Sequence, residues 1–478
     1  MRIAIVACAY ACAAMTAIAH ASPPAPGDPP PGDPPVVAPA ASPIAVDPAA
    51  AVTPPAVAPV APTGCIVGFE VRGHSKVKPK TLGYLSHTAI GDLIGPDDIA
   101  AIEQALMSSE LFATLSVALE PAPGDPSPGV IVVATAVDKH SWIIAPAAFA
   151  LPGNLALGVG YAENDFRGLA QKFLLYGQIG THTSLFFGTF LDPAVRGSKL
   201  TWRTDVYAYQ RSIDEYVNPH GDASSSVLAR TTTASYISAG ALVGWNFRWW
   251  LGIDLRLRGA YVSFRDAQDA DGQPLPLPEK DGWDVSIQTH LTLDHRHRRR
   301  GVTWGTYAQL QIEPSVPGLD SYNYQFGLVR AYQSWRLFGD HELELRGIAS
   351  AGRHMPMHEE LTIGGASDLR GYSVDQFRGD VRTVFRAEYS VPIYAWRFLA
   401  FRAIGFYDAG YVGFHNPRPT DRDYLPNQIS AGYARSDVGT GLRVYLNNIV
   451  LPLLGLDFGY GIEGHSPEIY FEVGLTDF

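Results

Sequence analysis

Apolar and polar residues alternate along most of the chain from Ser141 onward. The clearest run is Leu251, Ile253, Leu255 and Leu257, with Asp254, Arg256 and Arg258 between them. A period of two places the two sets on opposite faces of a strand. A charged face opposite a leucine face is wrong for a soluble core, but it suits a wall with lipid on one side and a wet lumen on the other. The same reading gives about sixteen strands, the first at 142–150 and the last at 468–477. Closing them into a barrel removes the sheet edges that lipid cannot satisfy. Long polar segments around Asp214 to Arg230, Ala267 to Lys280 and His415 to Ser430 read as loops, and Arg248-Trp249 reads as a tight junction.

Ahead of this wall the pattern changes. Residues 1–21 carry Arg2, an apolar stretch and Ala19-His20-Ala21 before Ser22, the layout of a cleavable secretory signal. Cys8 and Cys12 would leave with it, so that Cys65 is the one mature cysteine and an intramolecular disulfide is excluded. Residues 22–63 are rich in proline and alanine and read as a disordered, extended linker. Over 64–139 the pattern turns compact. Ile66 to Val71 reads as a strand ended by Arg72-Gly73-His74. Of the two helical patches that follow, the clearer starts at Pro96-Asp97-Asp98 and carries Ile99, Ile102 and Leu106 on one face. Two more strands, at 111–119 and 130–137, complete a small β-α-α-β-β domain. The expected fold is therefore an all-β transmembrane barrel over 140–478, preceded by one small α/β domain.

Composition agrees with many strands and interfacial aromatics: 46% hydrophobic, 17% charged, 47 glycines and 23 tyrosines in 478 residues. Beyond the N-terminus no apolar run reaches the roughly 18 residues of a membrane-spanning helix. A net charge of −11 argues against nucleic acid as a partner, because phosphate binding needs a basic face. Neither a Gly-x-Ser-x-Gly elbow nor a His-Glu-x-x-His zinc motif is present, so the chain reads as no enzyme, with no cofactor and no metal. Asp294-His295-Arg296-His297-Arg298-Arg299-Arg300 is a poor cation site. It reads as a basic strand end facing anionic headgroups or lumen acids.

One polar stretch stands apart, the segment 354–381 between two alternating runs. It is long for a segment without a structural signal of its own. It holds the pair Gly364-Gly365, the aromatics Tyr372 and Phe377, and Arg370, whose planar donor fork suits a carboxylate. Charges at Glu388 and Asp408 interrupt apolar strands further on, where the lumen is the less costly side for them. The final strand sets Ile469, Phe471, Val473 and Leu475 toward lipid and ends on the aromatic Phe478.

Leu369-Arg370-Gly371-Tyr372 matches the (L/V)-R-G-(F/Y) tetrapeptide and resembles the inward-folded loop of the BamA/TamA superfamily of outer-membrane assembly and secretion barrels. Other segments are similar to that family in the same order. They are Gly158-Val159-Gly160-Tyr161 with Asn164 to Gly168, Asp294-His295-Arg296 ahead of Gly301, Phe406-Tyr407-Asp408-Ala409-Gly410 and Gly439-Thr440-Gly441-Leu442-Arg443. The resemblance implies that 64–139 is a periplasmic POTRA module, that Arg370 pairs with Asp408 and Glu388 inside the lumen, and that Phe471, Gly474 and Phe478 form a C-terminal strand signal. It also implies the bacterial outer membrane as location and outer-membrane lipid, unfolded client proteins and periplasmic accessory proteins as partners. The implied function is insertion, assembly or translocation of other proteins. Two alternatives remain open: a dedicated two-partner-type secretion pore, or a passive channel or lipid-handling barrel.

Overall fold

The computed structural model describes residues 62–473, apart from 124–128, 152–153, 218–226, 300–301, 397–398, 418–431 and 447–448. The expected signal, nearly all of the linker, and Gly474 and Phe478 lie outside the described residues. The small domain is a four-stranded sheet in the order β2-β1-β4-β3 with two helices. Its elements are β1 (Gly64–His74), α1 (Pro79–Leu85), β2 (Leu93–Ile94), α2 (Ile99–Ser108), β3 (Phe112–Pro121) and β4 (Gly129–Asp138). Strand β1 runs parallel to β4, and β3 antiparallel to it. Ile102 and Leu106, one turn apart on α2, are buried with Ile66, Leu82, Phe112 and Val132 in a single core.

Sixteen strands close into a barrel. The first eight are β5 (Trp142–Leu151), β6 (Asn154–Phe166), β7 (Gln171–Gly180), β8 (Thr183–Asp192), β9 (Leu200–Val217), β10 (Val227–Arg248), β11 (Leu251–Gln268) and β12 (Gly282–Arg299). After β13 (Val302–Pro314), β14 (Gln325–Arg336) and β15 (Glu342–Arg353) the chain enters the lumen, where β16 (Leu361–Ile363) and β17 (Phe377–Gly379) pair as a short hairpin. It returns to the wall as β18 (Val381–Trp396), β19 (Leu399–Gly413), β20 (Tyr433–Leu446), β21 (Ile449–Gly461) and β22 (Ser466–Val473). The alternation on β11 is realised as two faces: Leu255 and Leu257 are 55% and 56% exposed toward the outside, while Arg258 is 7% exposed within.

The expected loop from Asp214 to Arg230 is a correction. Strands β9 and β10 continue through its ends, with Asp214 opposite Thr231 and Glu215 opposite Arg230. Glu215 and Arg230 form a fully buried ion pair there. These strand ends carry polar residues on both faces, so they lack the two-sided alternation that marks a lipid-facing wall. At 18 to 22 residues, β9 to β12 are well beyond the ~9–11 needed to cross a bilayer. By contrast β5, β7 and β8, with 10 residues each, stop at about that length.

The connection after β6 holds the small domain against the barrel. Gly168 accepts hydrogen bonds at its carbonyl from the Lys78 amide (2.8 Å) and the Thr81 hydroxyl (3.1 Å). Its φ is +72°, and any Cβ at this position would collide with the Lys76 carbonyl oxygen, so the turn has room for glycine alone. Ala170 is buried in the small domain's own core. The Asn164 to Gly168 motif thus serves as a docking turn.

A second contact is aromatic. His87, just after α1, stacks on Trp249 at 4.4 Å between ring centroids, and Trp249 in turn lies 4.7 Å from His295. Desolvation of the His87 ring, with His297 and His295 close by, lowers its pKa from 6.5 to about 4. The docked state therefore favours the neutral imidazole. This contribution is fully present above about pH 6.5 and is lost as pH falls toward 4. Spin-label distances between the small domain and the barrel are expected to show a growing undocked population over that window. His87→Gln should flatten the response in its upper part, before carboxylates titrate; an unchanged profile would mean that His87 does not couple to docking.

Candidate functional site

The loop that enters the lumen is shaped by its glycines. Gly364 and Gly365 adopt φ of +116° and +102°, conformations costly for residues with a Cβ. The Gly365 amide donates to the carbonyls of both Leu369 (3.1 Å) and Tyr372 (3.0 Å), and the Tyr372 amide to that of Leu369 (3.3 Å). This tight turn aims Arg370 at the wall. Leu369, Tyr372 and Phe377 fill an apolar cluster with Ile363, Val384, Val412 and Tyr433.

Arg370 is fully buried. Its Nε donates to Asp408 Oδ2 (2.8 Å) and its Nη2 to Asp408 Oδ1 (3.0 Å), a bidentate pair. Its Nη1 reaches Glu388 on β18 (2.8 Å) and Asp457 on β21 (3.5 Å). The guanidinium also lies 3.4 Å from the centroid of the Phe406 ring. Four neighbouring strands are engaged when Gly371 is included, because its amide donates to Asp437 Oδ2 on β20 (2.9 Å). A Cβ on Gly371 would collide with the Gly461 amide nitrogen, so the loop backbone rests directly on β21. Tyr372 donates to Glu463 (2.6 Å) and Ser373 to Glu468 on β22 (2.9 Å), while the Tyr470 hydroxyl donates to the Tyr372 carbonyl.

The residues singled out by sequence are therefore distributed as follows. Gly364, Gly365, Leu369, Arg370, Gly371 and Tyr372 lie together with Asp408 and Glu388. Phe471 sits in the wall opposite Ala150, away from this network. Asp294 and Arg296 pair with each other (2.7 Å) near the small domain instead of meeting the loop. Asp437, Asp457, Glu463 and Glu468 escaped sequence reading. Asp457 carries the signal that marks Asp408, a carboxylate inside the apolar run from Leu453 to Phe458.

A second anchor ties the start of the loop to the opposite wall. Arg258 on β11 donates to Glu359 (2.7 Å), to both oxygens of Asp284 on β12 (3.0 and 2.8 Å) and to the hydroxyls of Tyr236 (3.0 Å) and Tyr324 (2.6 Å). His358 lies 3.1 Å from Asp284 through Nε2, and Arg211 on β9 donates to the His358 carbonyl (3.3 Å). Met357 is buried against Ile213, Tyr236, Val262 and Phe264. Asp284, His358 and Glu359 offer three ligand atoms within 4.8 Å of one another. The guanidinium that already donates to both carboxylates supplies the positive charge there. Within the loop Arg378 joins Glu360 (3.1 Å) to the Met357 carbonyl (2.9 Å), so the two anchors belong to one braced insert across the lumen.

The Omp85 superfamily domain matches residues 165–476. Among solved structures the fold is similar to CdiB from Escherichia coli, at 13% identity and a TM-score of 0.60 over 86% of this chain and 76% of that one. It is similar to CdiB from Acinetobacter baumannii, at 13% identity and a TM-score of 0.58 over 86% and 74%. It is also similar to BamA from Haemophilus ducreyi lacking POTRA domains 1-3, at 13% identity and a TM-score of 0.53 over 86% and 84%. At this identity the likeness is one of fold. No curated protein matches the sequence.

Proposed function

Because the chain belongs to the Omp85 superfamily, we propose that it is an outer-membrane barrel that assists the insertion, assembly or translocation of other proteins through an openable seam. On this reading 1–21 is a signal, 22–63 a linker and 64–139 a single POTRA module in the periplasm. The observation that carries the proposal is the closure of the barrel. Strand β22 is paired with β21 along all of Ser466–Val473, but with β5 only through Phe471, Glu472 and Val473 among the described residues. The reason is partly length, since β5 ends at Leu151 and Ser466 to Tyr470 pair with none of its residues. Strand β5 also contains a proline, Pro146, which cannot donate to a ladder. With three residue pairs among the described residues this is the shortest contact in the wall and the natural place for it to open, and an opened edge offers backbone groups to an incoming strand. In the small domain, β1 beyond Ile66 has no antiparallel neighbour on its outer side among the described residues, a further edge for an extended client.

The test is a reversible staple. In a Cys65→Ser background, Ala150→Cys and Phe471→Cys place thiols on directly opposed residues. In liposomes the oxidised form is expected to lose its acceleration of client folding, and reduction should restore it. Full activity with the staple closed would sink the seam mechanism. A steady wide conductance in planar bilayers with no effect on clients would instead favour the passive channel.

A further inference from the structure

Between the small domain and the barrel mouth lies a cavity of about 1530 Å³. That exceeds the ~300–1,000 Å³ typical of small-ligand pockets, which points to a polymer as occupant. Its lining is unlike the rest of the chain. Ten cationic side chains face it against six carboxylates, in a protein whose net charge is −11.

The carboxylates are largely engaged. Asp205 accepts from Arg256 (3.1 Å) and Asp294 from Arg296 (2.7 Å). Asp138, Asp92 and Asp165 accept from the backbone amides of Lys76 (2.7 Å), Ala89 (2.7 Å) and Ala170 (2.8 Å). The cations Lys80, Lys139, Arg196, Lys199 and Arg248 have no ion-pair partner among the described residues. They come from α1, the link into β5, the connection after β8 and the end of β10, and so surround the space from both bodies. Apolar surface from Tyr84, Phe173, Phe187 and Trp249 lies among them.

We propose that this vestibule receives acidic, aromatic-bearing extended segments of client polypeptides, so that the charge of a client selects it at the mouth of the barrel. The inference rests on the client-handling function above and names the class of client. A polypeptide fits the mixed lining: unpaired cations attract its carboxylates, and the rings between them accept apolar side chains. A lipid phosphate is a poorer fit, because Arg256 belongs to the face of β11 opposite the lipid-facing Leu255 and Leu257.

Fluorescence anisotropy with the full chain in detergent tests it. The probe is a labelled unstructured Asp/Glu-rich peptide containing tyrosine, beside its Asn/Gln and Lys counterparts. The acidic peptide is expected to bind tightest, with affinity falling as salt rises. Combining Lys80→Glu, Lys139→Glu and Lys199→Glu should weaken it roughly tenfold or more and reverse the preference toward the Lys peptide. These side chains lie at the surface or partly so, and an independent pair, Arg196→Glu with Arg248→Glu, should repeat the result if folding of the first variant is impaired. Equal binding of acidic and neutral peptides, or a preference that survives both reversals, would overturn the proposal. Displacement of the acidic peptide by glycerophosphate at matched charge would do the same, by showing a general anion site. The liposome assay separates this from the underlying function. If charge-reversed variants still accelerate all clients alike, the vestibule inference fails while client handling stands; if the wild-type chain accelerates none, client handling itself fails.

Discussion

Replacing Arg370 by alanine is expected to destabilise the barrel by about 3–5 kcal/mol, the usual cost of removing one partner from a buried charge pair. The guanidinium is fully buried and is the shared donor to Asp408, Glu388 and Asp457. Without it Asp408 keeps Arg386 (3.3 Å) and Asp457 keeps Arg443 (2.8 Å), but Glu388 loses the Nη1 contact and the loop loses its bidentate hold. Heat- and urea-induced unfolding in detergent should shift to milder conditions, and loop residues near Ser373 should become accessible to thiol labelling after substitution by cysteine. Client-folding acceleration should fall in parallel. Arg370→Lys is expected to be intermediate, since an ammonium keeps the charge but not the planar fork. Wild-type stability and labelling in the alanine variant would remove Arg370 from the locking role.

The second large effect belongs to Arg258. Its removal leaves Asp284, Glu313 and Glu359 facing one another across the β11–β13 wall with the central cation gone. Arg258→Leu should again cost about 3–5 kcal/mol. Because the two arginines share no partner, the double variant should show close to the sum of the single losses. It should also conduct as a steady, wider pore in planar bilayers, since the insert is then released from both sides of the lumen. Stability of the double variant equal to that of Arg370→Ala alone would show that the second anchor contributes nothing.

The two anchors differ in how far they are legible without the fold. A carboxylate inside an alternating apolar strand has one low-cost direction, the lumen, which places Glu388 and Asp408 there, and the resemblance of the loop tetrapeptide supplies Arg370 as their partner. Asp457 offers the same signal, but no family motif draws the eye to it. Asp437 is different, since its neighbours Ser436 and Arg435 are polar and nothing local separates lumen from loop. The Arg258 network has no local signal at all. Arg258 reads as one more lumen charge among Asp254 and Arg256, and Asp284 sits beside an expected loop. Their meeting with His358 and Glu359 depends on where the loop lies after closure.

Strand number, the two faces of the wall, the small α/β domain and the turn-forming glycines of the loop followed from the sequence, because each is set by periodicity or backbone sterics within a few residues. Tertiary structure decided the rest. Barrel closure fixed which strands stand opposite each other, left β22 with a short contact to β5 among the described residues, and raised β9 to β12 above their neighbours. It also set the loop between two walls that lie far from it and from each other along the chain, reached through Arg258 to Glu359 on one side and Arg370 to Asp457 on the other. Long-range pairing of this kind arises from register and desolvation summed around a closed wall, and no local stretch of sequence contains that sum.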